Sequence, residues 1–478
     1  MNKLPQAQLT DFSSGFICKG AVSEAKIPLT AVSEVINLHF DKIGAVTLRP
    51  GTTILGNQLS DNILGLYEFR DSGSGTNNRI LCVNGSAVYY LSSSTWTSKR
   101  TVTTGKKADF TTFLDFIWMV NGTDATAIWD GSVGNSFVTS GNASNAPVGK
   151  YIENYRSRIW IAGNSTYPDR IYFSSLPSEV ATPVVTWDTS ATGNWIDISP
   201  QDGDNITALK RTNNALLVFK RNHIYRVYSA SEVDPDPKIS VGTYSKDSVV
   251  EAKDGIYFHH PTGIFRYNEG TVSEISKPVQ DFIDAVGVSQ YDNVCGWEDG
   301  DHVYMALGDL TVNGVSYINI VIRYTISSQV WTVYSYPTQF LCGSKYNDGT
   351  TLYDLVGDDD GNVLKVNYGK TDNGTNIMYT LTSRPYTFDG LFTTRKNISQ
   401  MSVIQSGGEG ARYYWCADDM GINRFTPLNL KSKSDLAQAS SVSVRGKKIW
   451  FRVAGSSNGE PFDFCGFEII DVSSELIQ

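Results

Sequence analysis

The stretch "RTNNALLVFKRNHIYRVYSA" (Arg211–Ala230) contains two short apolar runs separated by three polar residues. The runs, "ALLVF" and "HIYRVY", are rich in β-branched and aromatic side chains, which favour pleated strands. The intervening "KRN" is long enough to reverse the chain between two antiparallel strands. The stretch therefore predicts a β-hairpin whose strands are buried on one or both faces.

The same strand–turn–strand pattern recurs along most of the chain. It opens at Ile80, Ile117, Ile159, Leu216, Ile256, Val303 and Leu352, with steps of 37, 42, 57, 40, 47 and 49 residues. Four-stranded propeller blades repeat at roughly 40–50 residues, and stacking them radially buries faces that a lone hairpin leaves exposed. The sequence predicts an all-β chain with a β-propeller of about six to seven divergent blades. A pair of β-sandwiches with coincidental hairpin spacing is the alternative.

The pattern changes near the two ends of the chain. Longer alternating strands such as "KKIWFRVAGSS" follow residue 383 and predict a C-terminal β-sandwich over 384–478. Residues 61–383 form the predicted propeller, and residues 1–60 are predicted to be an N-terminal entry segment joining it. Helical pattern is scarce, and only "KPVQDFIDAVGV", from Lys277, predicts a short helix.

Composition describes an ordinary globular chain of 478 residues, with 41% hydrophobic and 19% charged residues. No apolar run approaches the ~18 residues needed to cross a bilayer, and the N-terminus lacks the apolar core of a secretory signal. We therefore expect a soluble, non-exported protein without a membrane span. The six cysteines are scattered without a CxxC pair, so we expect reduced, buried thiols.

Net charge is −9 and is unevenly spread. From Arg384 onward there are 11 Lys and Arg against 10 Asp and Glu, whereas the first 383 residues hold 29 against 39. A protein that grips the nucleic-acid backbone is expected to carry a basic patch instead. The charge distribution therefore argues against a protein that grips the nucleic-acid backbone.

Few residues suggest chemistry. The carboxylates of "GDDDGN" (357–362) suit Ca²⁺, but the stretch falls where a hairpin turn is due and is interpreted as a turn. Adjacent strand residues point to opposite faces, so His259 and His260 are interpreted as core or turn residues. Paired carboxylates for glycoside hydrolysis stay open as an alternative, although the repeated S-x-D-x-G-x-T-W box of sialidases is absent. Nothing specific indicates an enzyme, and we expect no cofactor and no metal.

Several stretches resemble structural proteins of tailed bacteriophages. "DFSSGF" near the start precedes "VINLHFDKIGAVTLRPGTTIL", which resembles an N-x-x-x-D-x-x-G…R-P-G strand pair on Asn37, Asp41, Gly44, Arg49, Pro50 and Gly51. "YRSRIWIAGNSTYPDRIYFSS", "WIDISPQDGDNITAL" and the terminal "VRGKKIWFRVAGSS…FCGFEI" follow in the order found in such proteins. The resemblance is strongest to the tail hub, or nozzle, of short-tailed phages, often called the packaged-DNA stabilisation protein. Ser13 and Ser14 depart from the usual Gly-rich pair.

The resemblance implies a virion structural protein that assembles as a ring, usually of six, below the portal and the head–tail adaptor. Such a ring retains packaged double-stranded DNA and forms part of the ejection channel without reading its sequence. Its other partners would be tail fibres or a tip. Assembly would take place in the host bacterial cytoplasm, where thiols stay reduced.

A DNA conduit should not bind DNA, because contacts from Lys and Arg to phosphates supply most non-specific affinity. The acidic front region therefore suggests a channel lining. The candidate carboxylates are Asp234, Asp236, Glu298, Asp299, Asp301, Asp358, Asp359 and Asp360. The alternative interpretation is that each of these carboxylates belongs to a solvated hairpin turn.

Two other functions stay open. The first is a carbohydrate-binding or glycan-hydrolysing propeller that acts as a receptor-binding tail component. The second is a scaffold propeller of cellular origin, which the phage-like N-terminus disfavours. Aromatic platforms and clustered carboxylates in one mouth of the propeller would favour the carbohydrate hypothesis.

Overall fold

The computed structural model describes residues 2–18, 27–73, 75, 77–180, 182–234, 239–391, 393–408, 410–417, 425–430, 432–433, 436–437 and 439–476. The chain is all-β, as the sequence predicted. Seven short strands come first: β1 (Asn2–Lys3), β2 (Ala7–Leu9), β3 (Gly15–Phe16), β4 (Ala31–Ile36), β5 (Leu38–His39), β6 (Val46–Leu48) and β7 (Thr53–Ile54).

Seven small antiparallel sheets of consecutive strands follow. Sheet I contains β8 (Ile63–Phe69), β9 (Arg79–Asn84), β10 (Ala87–Ser92) and β11 (Thr95–Thr101), and sheet II contains β12 (Asp109–Phe113), β13 (Phe116–Val120) and β14 (Ala127–Trp129). Sheet III contains β15 (Tyr151–Tyr155), β16 (Arg158–Ala162), β17 (Arg170–Phe173) and β18 (Trp195–Asp197). Sheet IV contains β19 (Ile206–Arg211), β20 (Leu216–Lys220), β21 (Ile224–Ser229) and β22 (Glu232–Val233).

The remaining three sheets continue the pattern. Sheet V contains β23 (Val250–Ala252), β24 (Gly255–His260), β25 (Gly263–Asn268) and β26 (Thr271–Glu274). Sheet VI contains β27 (Cys295–Glu298), β28 (His302–Val312), β29 (Val315–Thr325) and β30 (Val330–Ser335). Sheet VII contains β31 (Phe340–Asn347), β32 (Leu352–Asp358) and β33 (Val363–Val366), and β7 completes it. The predicted short helix forms as a 3-10 turn, Lys277–Val279, followed by α1 (Gln280–Asp284).

The seven strand-opening positions predicted from the sequence all lie in the second strands of these sheets, namely β9, β13, β16, β20, β24, β28 and β32. The opening hairpin is also confirmed. Phe219 pairs with Ile224 across the turn 221–223, and Leu216 and Leu217 are fully buried. The β-branched and aromatic runs and the polar turn between them therefore identify this hairpin from the sequence alone, and β20 is buried on both faces.

The order of the seven sheets is cyclic. First strands of successive sheets lie against one another, the fourth and fifth through the 3-10 turn Lys246–Ser248, and β31 of sheet VII contacts β8 of sheet I. Most pairs of neighbouring sheets have a separate hydrophobic cluster between them. Trp160 and Leu216, for example, belong to the cluster between sheets III and IV. At the point of closure, Ile54 of β7 pairs with Leu364 of β33.

In the described part of the chain after sheet VII there are nine strands: β34 (Ile377–Ser383), β35 (Thr394–Gly407), β36 (Arg412–Ala417), β37 (Thr426–Leu428), β38 (Ser432–Lys433), β39 (Leu436–Ala437), β40 (Ser440–Gly446), β41 (Ile449–Ser457) and β42 (Phe462–Leu476). Two large sheets result. Sheet A has the order β40-β35-β42-β6-β5 with β1 and β2 also on β42, and sheet B has the order β3-β4-β34-β41-β36-β37. Aromatic rings join their faces, with Phe451 and Phe467 5.3 Å apart between centroids.

The N-terminal strands have partners that the sequence did not indicate. Residues 1–60 were predicted to be an entry segment of the propeller, but Val35 of β4 pairs with Leu381 of β34 and Ala7 of β2 pairs with Ile469 of β42. Among the N-terminal strands that the structure describes, β7 alone has a strand pairing with the seven small sheets. The N-terminal strands pair with the long C-terminal strands and so cover backbone edges that would otherwise lack hydrogen-bond partners. This pairing depends on the tertiary structure and not on a local sequence pattern.

Candidate functional site

Three of the predicted channel acids lie where β27 ends and turns into β28: Glu298 is the last residue of β27, and Asp299 and Asp301 lie on the turn. Glu298 forms an ion pair with Lys345 at 2.7 Å. Asp299 accepts hydrogen bonds from Tyr304 (2.7 Å) and, on its other oxygen, pairs with His302 Nδ1 (2.6 Å). Asp301 forms an ion pair with Lys253. All three carboxylates therefore have nearby donors or cations that neutralise much of their field.

The acids of "GDDDGN" lie on the turn between β32 and β33, as the hairpin interpretation required. Asp358 is fully buried and accepts hydrogen bonds from the backbone and side-chain amides of Asn362, at 2.6 and 3.0 Å. Asp359 and Asp360 are exposed. Asp359 accepts a hydrogen bond from the Gln339 backbone amide at 3.0 Å. These two carboxylates are the ones left facing solvent.

The two groups lie at opposite ends of the ring of sheets. The turn 299–301 follows a first strand and the turn 359–362 follows a second strand, and antiparallel strands place such turns at opposite edges. The first strands of sheets VI and VII run in the same direction, because Gly343 lies beside Gly296 and, two residues on, Lys345 pairs with Glu298. Asp234, after β22, pairs with Arg226. Asp236 lies outside the described residues. The predicted carboxylates therefore do not form one lining.

A different set of charges occupies the centre of the ring. Lys107 Nζ lies 2.8 Å from Asp247, and Lys246 Nζ lies 2.8 Å from Asp109 and 3.5 Å from Asp247. We call these four residues the axial cluster. Lys107 and Asp109 lead into sheet II, whereas Lys246 and Asp247 lead into sheet V. Since those sheets are not neighbours in the cyclic order, the cluster crosses the middle of the ring.

The charges of the axial cluster balance one another, because it contains two lysines and two aspartates. Burial raises the pKa of Asp109 above its ordinary value, against the lowering effect of Lys246. Burial acts in the same direction on Asp247, but Lys107 and Lys246 outweigh it and hold the pKa of Asp247 below its usual range. Asp109 also accepts the backbone N–H of Ile152 at 2.8 Å. Two lysines and two carboxylates thus pair across the middle of the ring of sheets.

The residues of the R-P-G motif form a second polar network, at the junction between the large sheets and sheets VI and VII. Arg49 donates from Nη1 and Nη2 to the carboxylate of Asp372, at 2.8 and 2.6 Å. It also donates from Nε to Asn37 Oδ1 (2.7 Å) and from Nη2 to the Ser335 carbonyl (2.8 Å). Its guanidinium lies 4.0 Å from the ring centroid of Tyr336. We call Arg49, Asn37 and Asp372 the junction network.

Other motif residues act beside the junction network. A Cβ on Gly51 would lie 2.0 Å from the Thr371 carbonyl oxygen, so the close approach of the two chains requires glycine. Asp41 contacts His39 Nδ1 (3.0 Å) and Arg323 Nη1 (3.1 Å). Burial tends to raise the pKa of Asp41, but hydrogen bonds from the surrounding imidazoles and Arg323 hold it well below its usual range. The motif therefore encodes a structural joint.

Asp354 gives stability a measurable dependence on pH. Burial raises the pKa of Asp354 to about 6; Lys345 opposes the shift, and Asp299 and Glu298 add to it. Since the unfolded value is about 3.9, the stability from neutral Asp354 is present below about pH 4 and is lost as pH rises through about 6. The free energy of unfolding of Asp354→Asn should therefore exceed that of wild type by up to about 2–3 kcal/mol at pH 8, and the two should differ little at pH 4.

Urea unfolding of both proteins between pH 4 and pH 8 measures this difference. Asp360→Asn, on an exposed carboxylate, is the matched control and should follow wild type throughout. Parallel curves for Asp354→Asn and wild type would show that the pKa of Asp354 is the same in the folded and unfolded states, which would contradict the prediction.

The remaining sequence candidates are structural. His259 is fully buried in β24, and burial lowers its pKa to about 3; His260 Nδ1 lies 2.7 Å from Thr262 Oγ1. Cys18, Cys82, Cys295, Cys342 and Cys416 are buried and Cys465 is half-buried, and none of the six forms a disulfide bond. Over the described ranges, no group of three His, Cys, Asp or Glu residues is placed to hold a metal ion. Within the same ranges, no helix is long and apolar enough to cross a membrane.

Sequence reasoning missed the axial cluster and the partners of Arg49. The pairs Lys107–Asp247 and Arg49–Asp372 join residues 140 and 323 positions apart. The one local signal was a Lys and an Asp immediately before a first strand, at 107–109 and 246–247. Charges in such places usually face solvent, so this signal is weak.

Comparison with known proteins gives no family. No family model and no curated protein matches the sequence. Among solved structures, the computationally designed Ika8 protein is 11% identical over 70% of this chain and 96% of its own, with a TM-score of 0.41. BBS1N, solved in complex with ARL6DN, is 10% identical over 67% of this chain and 97% of its own, with a TM-score of 0.42.

A third solved structure is the extracellular domain of the one-component system BT4673 from B. thetaiotaomicron. It is 11% identical over 90% of this chain, with a TM-score of 0.44. The match spans 61% of that domain, which is less than two thirds of its length. Likenesses at these scores carry no argument about what this chain does.

Proposed function

We propose that this protein is a structural subunit of a short-tailed phage virion: a tail hub, or nozzle, that forms a ring below the portal and adaptor. Its fold would be a seven-bladed β-propeller, made of sheets I–VII, that carries a β-sandwich made of sheets A and B. The cyclic contacts of the first strands, and the completion of sheet VII by the N-terminal strand β7, support the propeller. A closed set of packed sheets suits a ring subunit, which must keep its shape.

The junction network is the observation that carries the proposal. Asn37, Arg49 and Gly51 belong to the motif on which the resemblance to tail hubs rests, and all three act at the joint between the large sheets and sheets VI and VII. A motif that fixes the angle between two bodies suits a protein whose task is to hold a shape. The motif residues therefore have a structural role that is consistent with assembly and requires no bound substrate.

Closure of the axis bears on the path of DNA. The axial cluster pairs charges across the middle of the seven sheets, so a duplex has no route through one subunit. A channel would instead lie between subunits of a ring. The proposal therefore requires an oligomer, six copies by the resemblance, and a monomer could not perform this function.

Ring assembly is tested by the mass in solution. Light scattering at two concentrations measures that mass before and after addition of the phage portal–adaptor assembly. The protein should have six times the 52.6 kDa mass of one chain, either alone or once bound to the portal. A stable monomer that ignores the portal–adaptor assembly would contradict the proposal.

Two carboxylates are then candidates for the channel surface. Asp359 and Asp360 are exposed at the end of the ring of sheets that also holds the axial cluster, whereas the other described candidates pair with cations or hold turns. In the assembled ring, Asp359→Asn with Asp360→Asn should increase retention of duplex DNA at low salt, because repulsion from phosphate is lost. Unchanged retention would assign both residues to an ordinary solvated turn.

A further inference from the structure

A cleft of about 610 Å³ opens between sheets IV and V. One wall is formed by Arg211, the turn 212–215 and two residues of β21, Arg226 and Tyr228. The facing wall is formed by residues of β23, β24 and β25 together with Glu269. The cleft lies at the end of the ring of sheets opposite Asp359 and Asp360. Its size is in the range of small-molecule sites.

Contacts from within the chain hold both walls in place. Tyr155 donates its hydroxyl to the Asn214 carbonyl at 2.9 Å, which anchors the turn 212–215. Thr212 Oγ1 accepts the backbone N–H of Ala215 at 3.0 Å and closes that turn. Lys210 and Glu251 pair across the two sheets at 2.9 Å. The cleft is therefore preformed, so a ligand would not have to pay for ordering it.

The mouth of the cleft presents polar groups that the protein itself does not use. Asn213, Asn214 and Asn268 are exposed, and within the described part of the chain their side-chain amides form no hydrogen bond. Each carboxamide offers two donors and one acceptor oxygen. Three such groups around one cleft suit a ligand whose own groups both donate and accept, which is the property of a hydroxyl.

Charge in the cleft is balanced. Arg226 pairs with Asp234, and Glu251 pairs with Lys210. Arg211 and Glu269, which have opposite charges, remain at the rim. The lining is also more polar than apolar, and the half-buried Tyr228 is its aromatic side chain closest to solvent, since Tyr267 is buried. A phosphorylated ligand would find no net positive charge, and a peptide would find few apolar pockets for its side chains.

We propose that this cleft binds a neutral oligosaccharide. The carboxamides of Asn213, Asn214 and Asn268 bond its hydroxyl groups, and Tyr228 packs against the apolar face of one sugar ring. The site is independent of ring assembly, because both walls belong to one chain. A hub subunit with this cleft would carry a saccharide contact of its own, in addition to its role in the channel.

A glycan array probed with the intact protein tests the proposal, followed by titration of the best neutral glycan by calorimetry. Asn213→Ala with Asn214→Ala should weaken that binding by about tenfold or more, as expected for the loss of two or more hydrogen bonds. Tyr228→Ala should weaken it by a similar factor. Asn458→Ala, at an exposed asparagine outside the cleft, is the matched control and should leave binding unchanged.

Each other outcome overturns the proposal. An array without a bound neutral glycan excludes the ligand class. Binding that survives all the cleft variants places the saccharide elsewhere on the chain. Binding of a peptide or an anionic glycan that the asparagine variants abolish would reassign the cleft to that ligand. All variants lie on exposed or half-exposed turn and strand positions, so thermal unfolding can verify that each one folds.

Discussion

Arg49→Met should lower the free energy of unfolding by about 3–5 kcal/mol, the usual cost of breaking a buried ion pair from one side. The Arg49 side chain is 0% exposed and that of Asp372 is 4% exposed, so the remaining carboxylate would be left buried without its cation. The Asn37 oxygen and the Ser335 carbonyl would each lose a donor as well. Urea unfolding followed by tryptophan fluorescence measures the change.

Two further variants make the result interpretable. Arg49→Lys keeps the charge but cannot reproduce the two-pronged contact with Asp372 or the stacking on Tyr336, so a loss smaller than that of Arg49→Met is expected. Arg412→Met replaces an exposed arginine in sheet B and should change stability by less than about 0.5 kcal/mol. Equal losses for Arg49→Met and Arg412→Met would show that the junction network adds nothing to stability.

Lys246→Met should cost about 3 kcal/mol or more, because it removes the cation between Asp109 and Asp247 at the centre of the ring. The Asp109 side chain is 8% exposed, so water compensates little for the loss. Lys107 still pairs with Asp247, so the uncompensated charge is mainly that of Asp109. Denaturant unfolding at pH 7 gives the value.

Neutralising Asp109 in the same protein separates charge from packing. Lys246→Met with Asp109→Asn should recover part of the stability lost in Lys246→Met, since no unpaired carboxylate remains. Lys42→Met breaks a pair whose lysine is 58% exposed, and its cost should be far smaller than that of Lys246→Met. A double variant no more stable than Lys246→Met would mean that the lysine acts by filling space.

Both joints matter to the proposed function for the same reason. The junction network fixes sheets A and B relative to sheets VI and VII, and the axial cluster connects sheet II to sheet V across the ring of seven sheets within one chain. A subunit of a ring must keep its contact surfaces at fixed angles, or the ring cannot close. Loss of either joint should therefore weaken assembly at temperatures at which the chain is still folded.

The sequence by itself determined the all-β class, the seven second strands and their hairpin turns, including the turn at 221–223. It could do so because the two-residue alternation of a strand and the chemistry of a tight turn are local properties. The turn at 359–362 was predictable for the same reason, as was the short helix that follows Lys277.

Only the tertiary structure decided which strands and charges meet. The pairing of β4 with β34, the closure of sheet VII by β7, and the contacts of Arg49 with Asp372 and of Lys246 with Asp109 join distant parts of the chain. A strand pattern states that an edge needs a partner but not which partner, and a charged residue looks the same whether it faces water or an ion pair. Those choices depend on how the packed sheets bring surfaces together, and no local pattern records that.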